Sequence, residues 1–226
     1  MTSSICAPSR WMMTTDRITL TAVRAAAGGA RVQIDAEIVA NGEKNTQTVS
    51  VLTTFLKVLP QLGEISAEGW QVLCRLDELS RAIDVGLRML SACGCSQRHL
   101  AEKLCARGFS RTVAARAAAT LATRGYLSDR DGALREAERG VKKLWGDRRI
   151  LAECRAKGYG EEGITAVQQY LRGENSTRRC RALLARRLKN TDDADEIRRA
   201  IAFLSRYGYG TDEIRAALRA VRLNIE

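Results

Sequence analysis

The sequence predicts a mainly α-helical protein, with three tandem three-helix repeats forming an elongated curved module behind a small N-terminal β-hairpin. Three observations predict it. Apolar residues recur every three or four positions from Pro60 to the C-terminus, the period of one helix face. The pairs Gly108-Phe109, Gly158-Tyr159 and Gly208-Tyr209 stand 50 residues apart, a self-similarity that marks tandem repeats. Between Arg17 and Ile38 the apolar period is two instead, as on a half-buried strand.

Residues 1–16 (MTSSICAPSRWMMTTD) are polar, hold Pro8 and show no period. They read as a flexible tail, with Met12 and Met13 as alternative starts. Residues 17–65 form a small β-containing segment: Ile18, Leu20 and Ala22 alternate with polar residues, as do Val32, Ile34, Ala36 and Ile38 beyond a Gly28-Gly29 turn. A third short strand is available near Thr46 to Val51, and such a sheet needs a helical neighbour to be stable. Residues 66–128 hold a helical lead-in and repeat one. Ser66 suits an N-cap, its hydroxyl accepting from a backbone N–H one turn later. Leu73, Leu76, Leu79, Ile83, Leu87 and Leu90 then lay one apolar stripe along one or two successive helices. Repeat two occupies residues 129–173 and repeat three 174–226.

Within the repeats, Leu104, Cys154 and Leu204 stand four residues before the glycines, and Leu100, Ile150 and Ala200 eight before. Each glycine therefore closes an amphipathic helix from the left-handed position, where a side chain is penalised. The following aromatic packs back on the last turn, Phe109 on Leu104, Tyr159 on Cys154 and Tyr209 on Leu204. That role takes precedence over reading these rings as base-stacking platforms. A second helix follows each glycine, over residues 110–123, 161–171 and 211–222, with Ser110 and Thr211 as N-caps. A third precedes it, near Leu79 to Ala92, Asp131 to Leu144 and Ser176 to Leu188. One such unit leaves apolar faces open, so the units stack.

Composition narrows function. A hydrophobic content of 45% argues against disorder, and two prolines with 5% aromatics argue against a strand-rich sandwich. With 37 Lys and Arg against 26 Asp and Glu, the net charge of +11 points to an anionic partner: nucleic acid, an acidic protein or anionic lipid. No apolar run reaches the ~18 residues that span a bilayer, and the first 16 residues lack a secretory apolar core, so a cytoplasmic monomer with no membrane partner is expected. Seven cysteines, mostly within helices, read as reduced thiols. Cys93, Cys95, His99 and Cys105 lack the spacing of a structural zinc site and read instead as a turn before a helix capped by Ser96. His99 is the only histidine, and no phosphate loop or nucleophile elbow occurs, so no cofactor, metal or catalytic residue is assigned. Glu161-Glu162 and Asp192-Asp193 suit helix starts.

Two basic clusters remain. Arg178 to Lys189 (RRCRALLARRLK) carries six cations and no acid, with Leu183, Leu184 and Leu188 as the buried stripe of the same helix. Arg139, Lys142, Lys143, Arg148, Arg149 and Lys157 form the second. Candidate contacts are Lys142, Lys143, Arg148, Arg149, Lys157, Arg178, Arg179, Arg186 and Arg187, read against the alternative of solvated helix faces.

The segments SQRHLAEKLCARGF (96–109), RGYLSD (124–129), GDRRILAECRAKGY (146–159) and FLSRYGYGTDEI (203–214), with the stripe from Leu73 to Leu90, resemble the RecX family over roughly residues 65–222. The resemblance implies a non-enzymatic three-repeat helical protein that binds in the groove of the RecA filament on single-stranded DNA. It further implies inhibition of RecA recombinase, ATPase and coprotease activity, within DNA repair, recombination and the SOS response. Direct contact with single- or double-stranded DNA is compatible with it, and a sequence-tolerant nucleic-acid-binding protein that acts without RecA is the alternative. The chain departs from the family pattern at Gly132, where an aromatic is usual, and at Cys154, where leucine is usual. Both changes are expected to loosen repeat two, Gly132 by removing an apolar anchor and weakening a helix start.

Overall fold

The computed structural model describes residues 15–26, 28–187 and 193–222. Strands β1 (Thr15–Ala25), β2 (Arg31–Ala40), β3 (Glu43–Leu52) and β4 (Gly63–Ile65) form one antiparallel sheet in the order β3-β2-β1-β4. The expected hairpin is thus the centre of a larger sheet. Gly28 and Gly29 make its turn at positive φ. Asn41 and Gly42, at φ 53° and 81°, turn β2 into β3 as an Asn-Gly pair does in a tight hairpin. Strand β4, at three residues, is too short to carry a period.

The inward set Ile18, Leu20, Val32, Ile34, Ala36, Ile38, Val49 and Val51 packs with Trp70 and Leu73 of helix α1 (Ala67–Ala92). That helix supplies the neighbour the sheet requires. It also closes the β3 edge, because Asp77 accepts from Ser50 N at 2.9 Å and Ser80 Oγ from Leu52 N at 3.0 Å. The Leu73 to Leu90 stripe lies on this one helix, and Ser66 caps it by accepting from Gly69 N at 3.1 Å.

Helices α2 (Gln97–Ala106) and α3 (Arg111–Thr123) complete repeat one. Repeat two is α4 (Asp129–Lys142), α5 (Asp147–Ala156) and α6 (Glu161–Arg172), and repeat three is α7 (Ser176–Ala185), α8 (Ala194–Arg206) and α9 (Thr211–Arg222). The described residues divide into two compact units, one built on residues up to Arg88 with Lys103–Thr120, the other on Met89–Glu102 with residues from Leu121 onward. Gly108, Gly158 and Gly208 have φ of 93°, 75° and 89°. Each donates from its N–H to the carbonyl three residues back, and the next aromatic donates to Leu104, Cys154 or Leu204, the paired bonds of a left-handed helix end. Ser110 caps α3 through Val113 N. The cap of α9 is displaced from Thr211 to Gly210, because Glu213 reaches back to accept from Gly210 N and supplies the side-chain half of the cap. Leu188, Lys189 and Asp192 lie outside the described residues.

In the second unit the repeats join by one recurring contact. Ser96 Oγ, at the start of α2, donates to Lys157 O at 2.6 Å, and Gly146 N, at the start of α5, donates to Tyr207 O at 2.8 Å. Each pair shifts by 50 residues into the other. The glycine-ended turn of one repeat is thus the seat for the helix start of the repeat before it. Asp129 reinforces the first joint by accepting from Gln97 N at 2.8 Å and Gly160 N at 3.0 Å.

Repeat two has a closed core of Ala133, Ala137, Ile150, Cys154, Val167 and Leu171. The space beside Gly132 is filled: a Cβ there would lie 2.8 Å from Tyr159 Cε1, so the ring stands where an added side chain would go. Ser128 caps α4 normally through Asp131 N. Burial pushes the Cys154 thiol up to about 11, reinforced by Glu136, and the Cys180 thiol up to about 12. Among the described cysteines, a thiol reagent at about pH 8 should therefore modify exposed Cys93 first and reach Cys154 and Cys180 only when denaturant opens repeats two and three. Comparable rates in native protein would show an open core.

Candidate binding surface

Among the described residues, ion pairing divides the candidate cations into two groups. Lys157 is held by Glu136 at 2.7 Å, and Glu153 lies 3.8 Å away. Arg179 lies inside the repeat two to three joint, 6% exposed, paired to Asp147 and Glu174. The structure removes it from the exposed set. An arginine on the inward face of α7 is indistinguishable in sequence from its outward neighbours until the acids that receive it, 32 and 5 residues away, are located. Lys142, Lys143, Arg148, Arg149, Arg178, Arg186 and Arg187 have no carboxylate partner among the described residues.

The local fold explains where these side chains stand. Lys142 ends α4, where the helix dipole favours a cation. The chain then turns at Leu144, whose φ of 56° is left-handed although it is not glycine. Its side chain packs on the repeat three core, and Tyr209 Oη donates to its carbonyl at 2.8 Å. This turn delivers Trp145 and, after Gly146, the first turn of α5 with Arg148 and Arg149. Cations are disfavoured at a helix N-terminus, and Asp147, which would offset them, faces Arg179 instead.

What holds Arg149 is aromatic. Its guanidinium lies 4.4 Å from the Trp145 ring centroid and 5.0 Å from that of Tyr207. The Lys143 ammonium is 5.0 Å from the Trp145 centroid. The Tyr207 and Phe203 rings are 4.4 Å apart, and the Arg187 guanidinium is 4.3 Å from the Phe203 centroid. Lys143, Trp145, Arg149, Tyr207, Phe203 and Arg187 therefore form one continuous ladder across the joint of repeats two and three. Sequence reasoning found its cations and missed its rings. Trp145 lies among the basic residues of repeat two, but Phe203 and Tyr207 reach them only through folding.

The aromatics after the repeat glycines are placed differently. Tyr209 is buried at 2% exposure, which pushes its hydroxyl well above the usual range, and Tyr159 is half-buried in the repeat two core. No three of His, Cys, Asp and Glu converge on a possible metal site, and no helix is long and apolar enough to cross a membrane, among the described residues.

Three-helix units whose middle helix ends at a glycine, fronted by cations without a carboxylate partner among the described residues, define a tandem helical-repeat protein with a basic surface. No family model matches the chain. It is 34% identical over 137 residues to the regulatory protein RecX of Mycobacterium leprae (strain Br4923), covering 57% of this chain and 78% of that protein. It is 31% identical over 142 residues to the regulatory protein RecX of Mycobacterium bovis (strain BCG / Pasteur 1173P2), covering 59% and 80%. Among solved structures, a regulatory protein RecX superposes with a TM-score of 0.65 at 15% identity over 88% of this chain and 97% of the other. RecX from Lactobacillus salivarius gives 0.58 at 14% identity over 65% and 98%. The chain belongs to the RecX family of regulatory proteins.

Proposed function

We propose that this protein regulates the RecA recombinase by binding the RecA filament on single-stranded DNA, restraining its growth and so its recombinase, ATPase and coprotease activities. Membership of the RecX family carries the reading, and the seven cations without carboxylate partners among the described residues supply the charge that an acidic filament surface would meet. The mechanism is steric and electrostatic: tandem helical repeats bridge neighbouring RecA protomers, with no chemical step. The protein acts as a monomer in the cytoplasm.

Cosedimentation with RecA filaments at ~0.15 M salt, compared with bare single-stranded DNA, tests this, because exposed long-range attractions are already screened there. Filament binding should be clearly the stronger, and binding no stronger than to naked DNA would sink the proposal. Changing Arg186 and Arg187 together to Glu should weaken filament binding by about tenfold or more. Both are exposed, and among the described residues only the Arg187 contact with Phe203 is lost, so stability should fall by no more than about 1 kcal/mol. A large drop in melting temperature would instead make these arginines structural.

A further inference from the structure

We propose that the turn at Arg107 and Gly108 is an open seat for the N-terminus of a helix, filled by a helix start of a RecA protomer when the protein is on the filament. This rests on the filament reading and adds to it a protein-contact surface in repeat one, separate from the cations of repeats two and three.

The first support is the pair of seats that the chain itself fills. Lys157 O accepts from Ser96 Oγ, and Tyr207 O accepts from Gly146 N, each donor standing at a helix start. Arg107 holds the same place 50 residues before Lys157, as Lys157 does before Tyr207. Its turn has the same form, because Gly108 N donates to Cys105 O and Phe109 N to Leu104 O. What differs is cover. Gly208 is buried and Gly158 half-buried, whereas Arg107 and Gly108 are exposed. Repeat one is preceded by the sheet and α1, and no earlier repeat supplies a helix start to its turn.

The second support is the chemistry of the seat. At the filled seat of Gly158, Asp129 accepts from Gly160 N with one oxygen and from Gln97 N, in the incoming helix start, with the other. Glu78 of α1 takes this part in repeat one: its Oε1 accepts from Ser110 N at 3.4 Å, and Ser110 lies 50 residues before Gly160. Among the described residues Oε2 takes no hydrogen bond. The seat thus offers two acceptors, Arg107 O and Glu78 Oε2, to the N–H groups that a helix leaves unpaired in its first turn. A helix C-terminus brings carbonyls and partial negative charge, and finds no donor in this pair. Arg107 and Arg111, exposed beside the turn, favour acids in the first turn of the incoming helix. The partner is therefore a helix start with a small cap residue, as Ser96 and Gly146 are, followed by acidic residues.

The test uses the room at Gly108. A Cβ there has nothing within 4 Å among the described residues, whereas at Gly158 it would lie 3.2 Å from Arg98 Cδ and at Gly208 2.5 Å from Arg149 N, both in the seated helices. Asparagine tolerates the left-handed conformation, so Gly108→Asn should keep the wild-type circular dichroism while its side chain stands in the way of a seated helix. In cosedimentation of the full chain with RecA filaments on oligothymidylate at ~0.15 M salt, this variant should lose about tenfold in affinity. Gly125→Asn, at another exposed glycine of positive φ with nothing within 4 Å, should bind as wild type. Arg111→Glu should lose about fivefold and Arg219→Glu, exposed on α9 and equal in charge change, clearly less. Glutamate suits the first turn of α3, so a loss at Arg111 is not a loss of fold.

Wild-type affinity in a folded Gly108→Asn overturns the seat and leaves the filament reading standing. If Gly108→Asn unfolds, the Arg111→Glu and Arg219→Glu pair decides, and equal losses overturn the seat. A wild-type chain that does not sediment with the filament removes both proposals. Sedimentation velocity of the free chain covers the remaining occupant: self-association near about 0.1 mM that Gly108→Asn abolishes assigns the seat to a second copy and overturns the RecA assignment.

Discussion

Gly208→Ala should destabilise repeat three by about 3 kcal/mol or more, while the same change at Gly108 should cost about 1 kcal/mol. The two glycines share a sequence motif and nearly the same φ, 89° and 93°, so left-handed strain is common to both. Their surroundings differ. A Cβ at Gly208 would lie 2.5 Å from both the backbone nitrogen and the Cβ of Arg149, atoms fixed within α5. At Gly158 it would lie 3.2 to 3.3 Å from Arg98 Cδ, Arg98 Cβ and Ser96 Oγ, and at Gly108 nothing stands within 4 Å. The cost should therefore rise from Gly108 to Gly158 to Gly208 in denaturant unfolding, with the β-branched change Gly158→Val worse than Gly158→Ala. Equal losses at the three positions would show that strain alone matters and that the joint yields freely.

Arg179→Met should cost about 2–3 kcal/mol at neutral pH. That is below the range for a fully enclosed pair, because the side chains of Asp147 and Glu174 keep 33% and 34% of their surface in water. Burial raises the Asp147 carboxyl above its usual value, and the Arg179 charge opposes that rise. A carboxyl raised in the folded state contributes stability in its protonated form, fully present below the unfolded value and lost as pH rises through the folded one. Removing Arg179 raises the folded value further. The variant should thus suffer little near pH 4, about the value of an unfolded aspartate, and lose most toward pH 7. Adding Asp147→Asn should restore at least half of the loss. A pH-independent defect, unrelieved by Asp147→Asn, would mean that Arg179 stabilises through its aliphatic stem.

Features that depend on local chain physics were legible from residue types. The three glycine helix ends, the caps at Ser66, Ser96 and Ser110 and the apolar stripe of α1 each follow from a few neighbouring positions. Features that depend on distant partners were not. Thr211 looks like a cap until Glu213 is seen to turn back on Gly210, and Arg179 resembles Arg178 until Asp147 and Glu174 enclose it. Strand β4 exists because β1 offers it an edge at Ile18 to Leu20, with no alternation of its own. The cations of the binding surface were readable as charge, whereas the rings that hold them come from repeats two and three together.

The left-handed turn at Leu144 bears on the order in which the molecule assembles. A leucine is strained there, and both groups that hold it, the repeat three core and the Tyr209 hydroxyl, belong to later sequence, the hydroxyl 65 residues downstream. As the chain leaves the ribosome, α4 is made long before its own ending can be secured. The end of α4 therefore stays unlatched until Tyr209 and the repeat three core have emerged. A stalled or truncated product that stops before Phe203 lacks both the ring under Arg187 and the second ring beside Arg149, so the ladder comes into being only once synthesis is nearly complete.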